Sequence, residues 1–107
     1  TLGSYAFYNC RNLEKVYLPL TLRQIGGYAF TFCEKLTSIM VPYGGEELPA
    51  KVFYGCSSLK EVNVPISVTS IAPDTFIGCS VVKLYVVPGS YAHTYAVEHN
   101  IACSAEP

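Results

Sequence analysis

Four cysteines in this chain recur at a fixed interval, as Cys10, Cys33, Cys56 and Cys79, which is a period of 23. A fixed period of roughly 20 to 50 residues is typical of repeat architectures and takes precedence over any assignment made element by element. Other columns keep the same step. Phenylalanines precede the cysteines by three positions, at Phe7, Phe30, Phe53 and Phe76, and prolines follow them by nine, at Pro19, Pro42, Pro65 and Pro88. Several columns with one common step predict about four stacked coils.

Each unit of this repeat is expected to form one coil of a solenoid. The stretch Leu13–Pro19 alternates as a strand does, with Val16 inward and Tyr17 outward. Proline ends the strand because it has no amide hydrogen, and the glycines of Gly26–Gly27 permit a turn into a short helical or 3₁₀ segment, Tyr28–Phe32. One unit cannot bury its own apolar face, so the coils must stack on one another.

The cysteine and phenylalanine columns are predicted to point inward and form one continuous core. Thiols that share a column have parallel side-chain directions, which favours free, buried cysteines over disulfides. Cys103 lies outside the column and is expected to be the most exposed cysteine.

The sequence therefore predicts a mainly β repeat solenoid over residues 1–88, with a truncated first repeat, followed by a C-terminal capping segment over residues 89–107. Ser90 is a candidate helix N-cap. The residues Ala92, Tyr95, Ala96 and His99 then follow at three- and four-residue spacing, which predicts a short helix lying over the last coil. Because Thr1 begins in mid-repeat, we expect further repeats or a cap upstream.

The repeated pattern Ile-Gly-x-x-Ala-Phe-x-x-Cys-x-x-Leu-x-x-Val-x-Leu-Pro resembles the BspA-type, or Treponema-type, leucine-rich repeats of bacterial and some protist surface proteins. In this chain it begins with Leu2–Cys10 and continues in three successors. The resemblance implies a leucine-rich repeat fold, a location at the cell surface or outside the cell, and adhesion to host matrix or to other microbes.

One stretch departs from this pattern. Over residues 42–49, Gly45 stands in an apolar column and Pro49 stands where a glycine is expected. We expect this coil to bulge or fray at its second edge.

Charge and hydropathy exclude two classes of partner. The chain has 7 basic and 8 acidic residues, for a net charge of -1, and so lacks the basic excess that nucleic acids or anionic membranes require. No apolar run approaches the roughly 20 residues of a membrane-spanning helix. We therefore expect no nucleic-acid partner and no membrane insertion.

The sequence shows no constellation typical of catalysis. His93, His99 and Cys103 lack the companion pair that a four-ligand zinc site requires. Glu46 and Glu47 are adjacent in a loop rich in glycine and proline, and there carboxylates are usually solvated charges. The sequence predicts neither an enzyme nor a bound metal or cofactor.

The outward strand positions are the best candidates for a binding surface. They are Lys15, Tyr17, Ser38, Met40, Glu61, Asn63, Leu84 and Val86. Half of them are apolar or aromatic, a composition typical of interfaces, although cross-strand packing would explain it equally well. Tyr5, Tyr8, Tyr28 and Tyr54 on the turns form a second, weaker patch, interpreted mainly as partial core.

Two functions follow from these features. The first is a module that binds an extracellular protein or glycan, and the second is a passive spacer that holds another domain away from a cell wall. Four rungs of outward side chains offer on the order of 200 Å², against roughly 800 Å² per partner in a standard interface. Binding by this segment is therefore expected to need more repeats or many copies.

Overall fold

Parallel strands that repeat along the chain form the frame of the protein, as seen in a computed structural model that describes residues 1–105. The elements are β1 (Ser38–Met40), β2 (Glu47–Leu48), β3 (Glu61–Val64), β4 (Ser70–Ile71), β5 (Lys83–Val86), α1 (Tyr91–Glu98) and β6 (Ala102–Ala105). Within the described residues the strands form two parallel sheets, with the orders β1-β3-β5-β6 and β2-β4. This arrangement is consistent with the predicted mainly β solenoid.

The first coil takes part in both sheets through single bridges rather than strands. Lys15 forms a bridge to Ser38, the first residue of β1 in the larger sheet. Leu2 forms a bridge to Ile25 on the side of the coils where the smaller sheet lies. Both bridges are parallel, and each joins residues that are one repeat period apart. The predicted strand Leu13–Pro19 is thus reduced to one bridging residue, although it keeps the register of the repeat.

The turn edge differs from the prediction. Tyr28–Phe32, expected to be helical or 3₁₀, is a run of turns in which Tyr28 and Phe32 have φ values of 64° and 60°. Their amides bond to the following coil, from Tyr28 N to Ala50 O at 3.1 Å and from Phe32 N to Tyr54 O at 2.8 Å. Left-handed residues interrupt a right-handed helix, so this edge forms a third ladder of bonds between coils instead.

A stack of phenylalanine rings runs through the core. Phe7 and Phe30 lie 5.4 Å apart between centroids, Phe30 and Phe53 5.9 Å, and Phe53 and Phe76 5.7 Å, all nearly parallel. Phe30, Phe53 and Phe76 are buried, whereas Phe7 in the first coil is half-buried. The ring of Tyr95 on α1 follows Phe76 at 6.3 Å, so the helix continues the stack beyond the last coil.

The cysteine column runs beside the phenylalanines. Cys33, Cys56 and Cys79 are buried, and their thiols donate to the carbonyls of the phenylalanines of the preceding coil at 3.2, 3.0 and 3.0 Å. Cys10 and Cys103 are both half-buried, so Cys103 is not distinguished by its exposure, and all five cysteines are free. Each buried thiol therefore has a backbone acceptor inside the core.

Burial also changes the acidity of these thiols. It raises the pKa of Cys33 to about 11, because a thiolate would be desolvated there. The neighbouring Cys79 thiol, together with burial, raises the pKa of Cys56. These two thiols are protonated and unreactive at neutral pH.

The chain ends in a helix and a last strand. The Ser90 side chain accepts a hydrogen bond from the His93 amide at 3.2 Å and caps the N-terminus of α1, as predicted. Ala92, Tyr95 and Ala96 are the buried residues of α1, and the Tyr95 hydroxyl donates to Ala72 O at 2.8 Å. His99, expected on the buried face, is exposed. Residues 106–107 of the predicted segment 89–107 lie outside the described residues.

The coil over residues 42–49 does not fray. Glu47 and Leu48 pair in register with Ser70 and Ile71 of β4, and Leu48 is fully buried. The Ser67 hydroxyl donates to Gly45 O at 2.6 Å. This bond helps hold the irregular loop against the next coil, and the expectation of a frayed edge was wrong.

Candidate binding surface

The outward side of the larger sheet is here called the strand face and comprises Lys15, Tyr17, Ser38, Met40, Glu61, Asn63, Lys83 and Tyr85. The first six were predicted to lie there. The register pairs Ser38 with Glu61 and Met40 with Asn63, so side chains of one column stand on neighbouring strands. Tyr17 is 87% exposed and Met40 is 59% exposed. Two large apolar groups on adjacent rungs therefore face solvent.

Leu84 and Val86, predicted on this face, point inward instead. Leu84 pairs with Val62 and Val86 with Val64, one residue short of the repeat period, and both are buried. Val82, still a full period after Leu59, is also buried. The repeat is therefore one residue short between Val82 and Leu84. Because side chains in a strand alternate between the two faces of the sheet, this missing residue moves Leu84 and Val86 from the predicted outward face to the inward face.

The residues that take their places are Lys83 and Tyr85. Lys83 pairs with Glu61 and Tyr85 with Asn63. The Lys83 ammonium lies 5.6 Å from the centroid of the Tyr85 ring, a cation–π contact. On β5 the strand face thus carries a basic and an aromatic side chain rather than two aliphatic ones, and β6 follows as the last strand of the sheet.

A further exposed apolar row follows the prolines and was missed by the sequence analysis. Leu20, Tyr43 and Ile66 keep the period of the repeat, each directly after a proline. Leu20 is 76% exposed, Tyr43 69% and Ile66 64%. Their common step was visible in the sequence, but the prolines were interpreted only as the ends of strands.

The strand face and this row meet in a shallow depression of about 300 Å³. We call it the apolar groove, and its exposed side chains include Tyr17, Leu20, Met40 and Tyr43. Lys15, Ser38, Glu61 and Asn63 add polar groups to its lining. The groove combines an apolar centre with a polar margin, as protein interfaces do.

Two opposite charges stand on the polar margin. Lys15 and Glu61 are exposed and lie two rungs apart, with Ser38 between them. Among residues 1–105 neither takes part in an ion pair; the pair found there is between Arg11 and Glu34, at 3.6 Å. Both charges of the margin are therefore available to a partner.

The tyrosines on the turns form a separate aromatic cluster. Tyr5 stacks on Tyr28 at 4.9 Å, and Tyr8 meets Tyr5 edge-on at 5.4 Å. The Lys51 ammonium lies 5.0 Å from the Tyr54 ring centroid. Tyr5 and Tyr8 are exposed while Tyr28 and Tyr54 are half-buried, so the interpretation as partial core fits Tyr28 and Tyr54 and not the other two.

The residues considered for chemistry are dispersed or already engaged. His93 Nδ1 accepts from the Gly89 amide at 3.0 Å, and the His99 ring stacks on Tyr95 at 3.9 Å. Glu46 and Glu47 are exposed. Across residues 1–105 no three His, Cys, Asp or Glu side chains come together as metal ligands, and no helix there has the length and apolarity needed to cross a membrane.

Comparison with known proteins decides the family. The family model described as a BspA type leucine rich repeat region, with 6 copies, matches residues 1–98. The chain belongs to the BspA-type leucine-rich repeat family. Such repeats are binding or structural modules rather than typical enzymes, and they are commonly surface-associated.

A solved structure supports the same assignment for this BspA-type chain. It is similar to a leucine-rich repeat protein from Bacteroides ovatus ATCC 8483, with 31% sequence identity and a TM-score of 0.81. The alignment covers 98% of this chain and 28% of that one, so the present chain spans little more than a quarter of that protein's length. Among curated proteins none matches.

Proposed function

We propose that this BspA-type chain is a protein-binding module that works outside the cell, in adhesion, and that the apolar groove is its contact surface. The observation that carries the proposal is the row of exposed apolar side chains on adjacent rungs, Tyr17 with Met40 and Leu20 with Tyr43. Exposed apolar patches with a polar margin mark interaction sites in soluble proteins. The surface association common in the family supports the extracellular setting.

The scaffold suits this role because it fixes the side chains without help from a ligand. The coils stack through parallel strands, and the Tyr95 ring of helix α1 lies 6.3 Å from the ring of Phe76 in the core. Parallel pairing sets the distance between neighbouring side chains at about 4.8 Å. A partner therefore meets a surface whose spacing is already ordered, which lowers the entropic cost of binding.

The composition of the groove favours a protein ligand over a glycan. The four central side chains of the groove are one methionine, one leucine and two tyrosines, and methionine and aromatic residues are enriched in protein–protein interfaces. The groove is also small, so single contacts are weak, and binding gains from further repeats or from many copies on one surface.

The test is a binding screen with the chain displayed in many copies on beads, against matrix proteins, mucins and bacterial surfaces. The wild type is compared with the double variant Tyr17→Ser, Met40→Ser. The matched control is Ile77→Ser, Val81→Ser, which removes two similarly exposed apolar side chains, at 54% and 52%, from positions that do not line the groove.

A protein partner that is lost with the groove variant and kept with the control supports the proposal. Binding that disappears when the ligand is deglycosylated identifies a glycan ligand instead. A partner that both variants retain contradicts the assignment of the groove.

A passive spacer is the second candidate function. The continuous ladders of hydrogen bonds between coils, for example from Tyr5 N to Gly27 O at 3.1 Å and from Lys83 N to Lys60 O at 2.8 Å, support it because they stiffen the array. If the chain is a spacer, neither double variant changes the outcome of any of these assays. That result would favour the spacer function.

A further inference from the structure

We propose that the ligand of the apolar groove is an amphipathic α-helix of a partner protein, lying across the strands and along the solenoid axis. This inference rests on the proposed function and names its partner more closely. Its basis is the spacing of the exposed side chains together with the two free charges on the margin.

The spacing of the rungs fits a helix better than an extended chain. Neighbouring parallel strands lie about 4.8 Å apart, so three rungs span about 9.6 Å. Residues i and i+7 of an α-helix are on one face and about 10.5 Å apart along its axis. Alternate residues of an extended chain are about 6.6 Å apart, so three of them span about 13 Å. A helix therefore keeps one side chain opposite each rung, whereas a strand loses register.

The rows supply the two kinds of contact that an amphipathic helix makes. Tyr17 with Met40 and Leu20 with Tyr43 form two adjacent apolar rows, which can receive the apolar stripe of a helix. The row of Lys15 and Glu61 flanks them two rungs apart. We infer that the bound helix carries an acidic side chain opposite Lys15 and a basic one seven positions away.

The probe for the test is a synthetic peptide of about 18 residues, cross-linked on its solvent side to hold the helix. It carries an apolar stripe flanked by Glu and Lys seven positions apart. A second peptide carries Glu at both positions and a third carries Lys at both. A fourth has a central proline, which breaks the helix. Binding is followed by NMR shifts of the chain at up to about 1 mM peptide.

The wild type is expected to prefer the Glu/Lys peptide. The single variant Lys15→Glu is expected to prefer the Lys/Lys peptide, and Glu61→Lys the Glu/Glu peptide, by about two- to fivefold for each matched exposed pair. The double variant Tyr17→Ser, Met40→Ser is expected to bind none of the peptides. All these side chains lie on the surface, so folding is checked simply by circular dichroism.

Three results would overturn the inference. One is equal binding of the proline peptide, which shows that a helix is not required. The second is an absence of binding by every helical peptide, and the third is an order of preference unchanged by the charge variants. The bead screen separates these results from a failure of the proposed function, because a partner protein that depends on Tyr17 and Met40 leaves the groove assigned even when the helix is rejected.

Discussion

Leu84 pairs with Val62 across the parallel sheet, one residue out of step with the period of the repeat. The missing residue places Leu84 in the core, where it is fully buried. Leu84→Ala is therefore expected to lower the free energy of unfolding by about 2 to 5 kcal/mol, through lost burial and the cavity left behind. Leu20→Ala removes the same atoms from a side chain that is 76% exposed, and we expect a change of at most about 0.5 kcal/mol. Urea unfolding followed by circular dichroism measures both, and equal losses would contradict the register.

The period itself predicted most of the fold. It placed the phenylalanine stack and the inward thiols, because a column of identical residues has one environment in every coil. The helix that begins after Ser90 followed from capping and spacing alone. The position of Leu84 did not follow, since a deletion of one residue leaves the apolar pattern nearly intact when Val82, Leu84 and Val86 are all aliphatic.

The candidate surface was predicted in part. Tyr17 and Met40 were found because they alternate with buried residues in a regular strand pattern. Leu20 and Tyr43 were not, because they follow prolines and lie outside any strand, where alternation gives no orientation. The loop over residues 42–49 is held by contacts to the next coil, such as that of Ser67 with Gly45 O, and local sequence does not show such contacts.

The hydroxyl of Tyr95 ties helix α1 to the coil below it. It donates to Ala72 O at 2.8 Å. Tyr95→Phe removes this bond and leaves the carbonyl without that partner, so we expect the free energy of unfolding to fall by about 1 kcal/mol. Tyr17→Phe is the matched control, because its hydroxyl belongs to a side chain that is 87% exposed. Thermal or urea unfolding compares them, and the prediction fails if the two variants are equally stable.

The buried thiol of Cys33 makes stability depend on alkaline pH. Burial raises its pKa from 9.0 in the unfolded reference to about 11. The folded state therefore holds the proton more tightly, so this contribution to stability is complete below pH 9.0 and is lost as pH rises from 9.0 towards about 11. For one thiol, the free energy of unfolding falls by at most about 1.4 kcal/mol per pH unit over this range.

Cys33→Ala isolates this effect from the ionisation of the tyrosines. The variant lacks the thiol and its bond to Phe7 O, so it is less stable at neutral pH, but its stability should fall less steeply above pH 9.0. Urea unfolding between pH 7 and 10.5 gives the two slopes. Parallel curves would show that the Cys33 thiol titrates alike in the folded and unfolded chain.

A bulky thiol reagent tests the same column directly. Cys33, Cys56 and Cys79 are buried, whereas Cys10 and Cys103 are half-buried. In the native protein we expect two thiols at most to react, and in denaturant all five of the free cysteines. Mass spectrometry of the labelled peptides identifies them. Labelling of Cys56 in the native state, at a rate like that of Cys10, is the result that the buried column does not allow.

The ring of Phe32 occupies the space that a side chain at Gly55 would need. A β-carbon at Gly55 would lie 2.5 Å from a Phe32 ring carbon, and Gly55 also has a φ of +73°. Gly55→Ala therefore suffers both a clash and backbone strain, and the strain alone costs about 1 to 2 kcal/mol. Gly89→Ala isolates the strain, since Gly89 has a φ of +83° with nothing within 4 Å of the added carbon. We expect Gly55→Ala to lose more stability than Gly89→Ala in urea unfolding.

Combining Gly55→Ala with Phe32→Ala separates the clash from the strain. Without the ring the added methyl group has room, so the double variant should be more stable than the sum of the two single losses allows. Phe32 contacts Tyr8 and Tyr54 edge-on, at 6.1 and 5.6 Å, and its removal has a cost of its own that the single variant measures. Because the two residues touch, a coupling free energy of about 0.5 to 3 kcal/mol is expected. Strict additivity would mean that the ring moves aside freely, and that the stacking of coils at this edge is looser than the contacts of Phe32 indicate.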